Sequence, residues 1–191
     1  MIRAIFPLGV FLLPGGYTKL RIFEPRYLTM VGDALKRDNG FVLCRHTDNA
    51  YLNVPKEGVY VRIVDFSQDG NGQLLIDVFA EHRVSIKNPY MDEQNLRHAH
   101  INIIAEPLWR YQSTLSSHFT SQMGEMLSNV FSQNPEIDEL YRDKHFEDPV
   151  WVASRWLELL PMKESEKHKL KSSVNFEQVV SFLHTILNES Q

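Results

Sequence analysis

Two histidines, His98 and His100, stand two residues apart. On a strand that spacing puts both rings on one face, as a metal site requires. No cysteine or carboxylate stands beside them at ligand spacing, so they read as solvated strand-end histidines and no metal is expected. Other catalytic signatures are missing. There is no G-x-x-x-x-G-K-[ST] phosphate loop, no G-x-S-x-G elbow and no H-E-x-x-H pair. Asp69-Gly70-Asn71-Gly72 is glycine-rich, but it lies between two apolar runs and carries no lysine to meet a phosphate. The expectation is a chain without catalytic residues or cofactor, acting by binding rather than by chemistry.

Charge narrows the binding partners. The 191 residues carry a formal net charge of −4, which gives no general attraction to phosphate and argues against nucleic acid. Lys163, Lys167, Lys169 and Lys171 alternate with Glu164 and Glu166, which reads as a solvated helix face. RNA binding stays open as an alternative only if Arg45, Arg62, Arg83 and Arg97 share one surface. The apolar residues offer more. In Phe11-Leu12-Leu13-Pro14-Gly15-Gly16-Tyr17 the proline-glycine turn limits how many side chains can be buried. An exposed apolar edge there would suit unfolded polypeptide. Phe11, Leu12 and Tyr17 are therefore candidate peptide-binding residues. Trp109 and Tyr111 join them, since with Trp151 and Trp156 they could frame a groove between the two halves of the chain. At helical spacing Trp151 and Trp156 are more often core. The single cysteine, Cys44, sits in the run Phe41-Val42-Leu43-Cys44 and reads as an inert core thiol.

The elements that position these residues change character along the chain. Ala4 to Phe6, Lys19 to Ile22, Phe41 to Arg45, Val59 to Phe66, Gln73 to Phe79, Arg83 to Ile86 and His100 to Ile104 read as short strands. Ser67 to Gly72 makes a hairpin of the clearest pair. So many short strands suggest a barrel or a sandwich, because closing a sheet removes exposed edges. One helix interrupts them. It starts at Pro25, uses Tyr27, Leu28, Val31 and Leu35 as its buried stripe, places Lys36 and Arg37 at its end, and stops at Asn39-Gly40. From residue 110 the period becomes helical. Leu115 to Val130 forms one helix, ended by Asn134-Pro135. Asp148-Pro149 opens another, closed by Pro161. Glu164 to Lys171 forms a short one, and Asn175 begins the last, with Gln178 at capping-box spacing. The expectation is an α+β chain, with a β-rich part over 1–109 and a helical bundle over 110–191 packed on it.

The opening elements Phe6-Pro7-Leu8, Pro14-Gly15 and Ile22-Phe23-Glu24-Pro25-Arg26-Tyr27, in that order, resemble the LON substrate-binding domain, the N-terminal module of Lon-type ATP-dependent proteases. The likeness continues through Gly58 to Phe66, through Leu75 to Ile86 with Arg83, and through Asp148-Pro149 to Leu160-Pro161-Met162. Two positions depart from the family pattern. Ala80 stands where many members have glycine, and Lys163 where a capping serine is common. The resemblance implies a PUA-like β-barrel followed by a helical bundle. It also implies a polypeptide-recognition or adaptor module, binding unfolded segments or a protein partner, with a separate ATP-dependent protease as one candidate. Glu24, Arg26 and Tyr27, which carry the signature, read as scaffold. A small-molecule sensor using a barrel-mouth pocket is the remaining alternative. The proline-broken N-terminus does not read as a signal peptide, and no apolar run approaches the ~20 residues that span a bilayer. A cytoplasmic protein without membrane contact is expected.

Overall fold

The computed structural model describes residues 1–110, 117–173 and 175–189. It divides into two compact units, Met1–Ala105 and Glu106–Gln191.

Six strands build the first unit: β1 (Ile2–Pro7), β2 (Tyr17–Ile22), β3 (Phe41–Cys44), β4 (Glu57–Gln68), β5 (Leu74–Met91) and β6 (Arg97–Ile103). Their order is β2-β5-β4-β3-β1-β6, and β6 pairs back onto β5. Five strands therefore close into a ring of hydrogen-bonded neighbours, the barrel of the expected PUA-like fold, with β2 added outside on β5. All pairings are antiparallel except β1 with β3. Strand β3 is buried on both faces, which is why its sequence is a continuous apolar run rather than an alternating one.

Strand β5 joins two segments that the sequence reads as separate. Its 18 residues stay in the barrel by bending at bulges. One extra residue, Glu81, separates the pairs Tyr60↔His82 and Val61↔Ala80. Another bulge lies between Lys87 and Tyr90, where Asn88 takes a φ of 50° and Pro89 has no N–H to offer a ladder. Two turns share one device. Asp69 accepts hydrogen bonds from the N–H groups of Asn71 and Gln73, and Asp92 from those of Gln94 and Leu96. The Gln73 bond is the largest cause holding the Asp69 carboxyl below the usual carboxylate range. The first turn is legible from its glycines, whereas the second is not.

Helix α1 (Pro25–Lys36) starts at the expected proline. Its buried stripe is Tyr27, Met30, Val31 and Ala34, whereas Leu28 and Leu35 are 42% and 46% exposed. Tyr27 and Val31 belong to both readings. The core takes the side of the helix that carries Met30 and Ala34, two residues whose apolar character is less conspicuous than that of leucine. Cys44 lies in a buried cluster with Ile5, Val42, Val84 and Ile101. Burial pushes its thiol up to about 12. A thiol reagent at pH 8 is expected to leave Cys44 unmodified in the folded protein and to label it once denaturant is added, as mass spectrometry would show. Labelling at the rate of a free thiol without denaturant would contradict the buried placement.

The second unit holds α2 (Ser117–Gln133), α3 (Pro135–Leu140), α4 (Pro149–Leu159), α5 (Glu164–Lys171) and α6 (Phe176–Glu189). The proline at 135 that reads as the end of one helix is also the first residue of the short α3. Asp148 caps α4, accepting from the N–H groups of Val150 and Trp151. Lys163 gives α5 no side-chain cap. Asn175 accepts from the Glu177 N–H at 2.9 Å, while Gln178 bonds the Ser173 hydroxyl instead of completing a capping box. No helix among the described residues is long and apolar enough to cross a membrane.

Candidate functional site

The first unit carries a cleft of about 450 Å³ between the end of β1, the segment after it, strand β2 and the start of α1. Phe6, Leu8, Val10, Leu20, Ile22 and Tyr27 give it an apolar floor. Phe6 and Tyr27 stack with ring centroids 4.0 Å apart, and both are buried. Alternation along β2 supplies the rest of the geometry. Leu20 and Ile22 turn into the core, while Lys19 and Arg21 face outward. Phe23, just past the strand, is 62% exposed at the cleft's edge.

The rim is cationic. Lys19, Arg21, Arg26 and Arg97 line the cleft with His46, against the one carboxylate of Glu24. Arg26 is held by Glu24 at 2.5 Å and lies over the Tyr27 ring at 5.0 Å. Lys19 and Arg21 pair with Asp77 and Asp69 at 2.5 and 3.3 Å. The Arg97 Nε donates to the Leu52 carbonyl at 2.9 Å, and Arg97 makes no ion pair among the described residues. Burial raises the Tyr27 hydroxyl above its ordinary value, with the Arg26 charge pulling the other way. That hydroxyl makes no hydrogen bond among the described residues.

The residues singled out from sequence take varied positions. Phe11 is half-buried. Leu12 and Tyr17 are buried, with Leu12 behind the cleft floor in the same cluster as Phe6, Leu20 and Tyr27. The Pro14-Gly15-Gly16 turn explains this burial. Its Gly15 N–H donates to the Ala80 carbonyl, and the Ala80 N–H donates to the Gly16 carbonyl. The turn is thereby tied onto β5 beside the Glu81 bulge, carrying its apolar neighbours inward. Trp109 is buried in the second unit, its Nε1–H donating to the Leu170 carbonyl at 3.0 Å and its ring against Phe176. Tyr111 and Leu115 lie outside the described residues. Sequence reasoning did not single out Lys19, Arg21 or Phe23 as site residues. Their signal is present in the alternation Tyr17-Thr18-Lys19-Leu20-Arg21-Ile22, which puts two cations on one face of a strand.

Other candidates resolve into local structure. His98 sits against Asp92 at 2.9 Å and stacks on Tyr90, and His100 is exposed. Among the described residues no group of three or more metal-ligating side chains occurs. Arg62 is matched by Asp38 and Glu81, and Arg83 by Glu57.

Comparison with known proteins adds to this geometry. A crystal structure of a Lon N-terminal domain protein from Xanthomonas campestris superposes with a TM-score of 0.72 at 23% identity, covering 95% of this chain and 98% of that one. The N-terminal domain of a Mycobacterium avium complex Lon protease gives 0.66 at 14%, covering 96% of each. At these identities the likeness shows the fold. None of the curated proteins compared with the chain is similar enough to count as a relative. The family profile of the ATP-dependent protease La (LON) substrate-binding domain matches residues 3–189, and on a match of that extent the chain belongs to the LON substrate-binding domain family.

Proposed function

We propose that this chain recognises polypeptide segments without catalysing a reaction on them, and that the β2 cleft is where it holds them. The observation that carries the reading is an exposed phenylalanine, Phe23, beside a floor already made of buried and half-buried apolar side chains. Exposed apolar surface rimmed by charge is the pattern of a protein-binding patch. Membership of a substrate-binding family supports the same reading. Leu12 supports the floor from behind, Tyr17 is buried against Phe79 at the start of β2, and Phe11 lies on the segment that leads to the floor. In the cell such a module would work as an adaptor, with a separate ATP-dependent protease as one candidate partner. RNA is the weaker reading, because the chain carries a net charge of −4 and so has no general attraction to phosphate.

The test is fluorescence anisotropy with a labelled, permanently unfolded polypeptide. Saturable binding at tens of micromolar is expected, and Phe23→Ala should weaken it by about five- to tenfold, the loss of one partly buried aromatic contact. Phe23 is exposed, so the variant should keep its fold, which circular dichroism would confirm. Unchanged affinity in Phe23→Ala would move the site elsewhere. No saturable binding at all would remove polypeptide recognition in this general form.

A further inference from the structure

Strand β2 is an edge. Among the described residues it pairs with β5 alone, from Tyr17↔Phe79 to Ile22↔Leu74. Among the described residues no other backbone bonds to Lys19–Ile22. Its second edge therefore presents peptide N–H and C=O groups with no strand beside them, and Lys19 to Phe23 line the cleft. A free edge alongside an apolar cleft is the arrangement in which an extended peptide can be added as a further strand.

The charges on that edge say what such a peptide would carry. Four cationic side chains and one carboxylate line the cleft, in a chain whose net charge is −4. Lys19 and Arg21 are two residues apart on the same face, about 7 Å along the strand. Their ion pairs with Asp77 and Asp69 leave the two cations 49% and 58% exposed, and exposed pairs of this kind hold their partners weakly. Among the described residues Arg97 has no carboxylate of its own, and the Arg26 Nε has no acceptor. On an added strand, alternate side chains would face Lys19 and Arg21, and those between would face the side of Leu20 and Ile22.

We infer that the cleft binds extended polypeptide segments in which acidic and apolar residues alternate, added as a strand to the free edge of β2. This rests on the polypeptide-recognition reading and names its substrate class. A different role for Lys19 and Arg21 is to blunt the edge against self-association. That role predicts no preference among peptides.

The experiment compares labelled peptides of equal length in the anisotropy assay: alternating Glu/Leu, alternating Lys/Leu and alternating Asn/Leu. A fourth is the Glu/Leu peptide with every second backbone nitrogen methylated on the edge-facing register. The Glu/Leu peptide should bind about tenfold tighter than the Lys/Leu peptide at low salt, with the gap narrowing at high salt. Backbone methylation should abolish binding. Lys19→Gln/Arg21→Gln should erase the acidic preference, and Lys19→Glu/Arg21→Glu should reverse it. Equal binding of the three patterned peptides, or indifference to methylation, overturns this inference and leaves polypeptide recognition standing. Failure of every peptide, and of unfolded polypeptide with them, removes both. Displacement of the Glu/Leu peptide by equimolar single-stranded RNA overturns the inference in favour of a nucleic-acid site.

Discussion

Arg155→Met is expected to destabilise the helical unit by about 3–5 kcal/mol, the cost of leaving one member of a buried ion pair without its partner. Arg155 has no exposed surface, and the Glu158 side chain is 7% exposed. The guanidinium donates to both carboxylate oxygens of Glu158 at 2.7 Å, and the Tyr141 hydroxyl donates to the same carboxylate at 3.2 Å. Lys167 is buried too and donates to the Glu158 carbonyl at 3.0 Å. Desolvation lowers its pKa, against the pull of Glu158 and Glu164. Rings of Trp151 and Tyr141 lie 5.4 and 5.9 Å from the Arg155 guanidinium. Methionine would fill much of the volume, but it would leave the buried Glu158 carboxylate with its bidentate donor gone. A loss of this size is a large share of the ~5–15 kcal/mol that separates folded from unfolded domains. The double variant Arg155→Met/Glu158→Met should recover most of it, because replacing both members removes the buried carboxylate together with its donor. Urea titration followed by circular dichroism measures both. A single variant that loses under about 1 kcal/mol would show that the pair does not carry the weight its burial implies.

This network shows what the sequence withholds. Around Arg155 the sequence shows Trp151, Val152, Trp156, Leu159 and Leu160 as the apolar residues of a helix. In the structure every residue from Trp151 to Leu157 is buried, and Leu159 and Leu160 are only half-buried. A helix buried all round must pair any charge it carries. Arg155 and Glu158 stand three apart, a spacing visible in the sequence, yet nothing in the pattern says that the polar side of α4 is covered. The barrel is more legible, because alternation, turn residues and the Glu24-Pro25 start are local signals. Strand β5 is the exception. Its bulges come from tertiary closure, so the sequence breaks it in two. The cleft is legible only in parts. Lys19 and Arg21 alternate plainly, but that β2 is an edge follows from strand order, which local pattern does not encode.

Gly40→Ala carries the other large expected effect, and the reason is different from the one its sequence context suggests. Asn39-Gly40 after a helix reads as a glycine helix stop. The left-handed residue that ends α1 is instead Asp38, with a φ of 46°. The Asn39 N–H reaches the Ala34 carbonyl at 3.0 Å and the Asp38 N–H points to that of Leu35, the bonding pattern of a Schellman cap with aspartate in the usual glycine place. Gly40 is glycine because of what it approaches. A Cβ there would stand 1.9 Å from the Val61 carbonyl oxygen and 2.9 Å from the Tyr60 ring. The Gly40 N–H also donates to the Tyr60 hydroxyl at 2.7 Å. Phe41, the next residue, opens β3 opposite Val61. Alanine would therefore push β3 off β4 at the first pair of their ladder, inside a ring of strands that cannot widen at one seam without disturbing the others. The expected loss is about 3 kcal/mol, at the upper end for overpacking because the obstacle is backbone rather than a side chain that could turn away. Gly32, in α1, makes the contrast. A Cβ there meets nothing within 4 Å, so Gly32→Ala should stabilise by up to about 1 kcal/mol through helix propensity alone. Urea titrations of the two variants should move the midpoint in opposite directions. A Gly40→Ala protein as stable as the parent would mean that β3 and β4 can part at Val61, and the close approach would then not be what requires glycine.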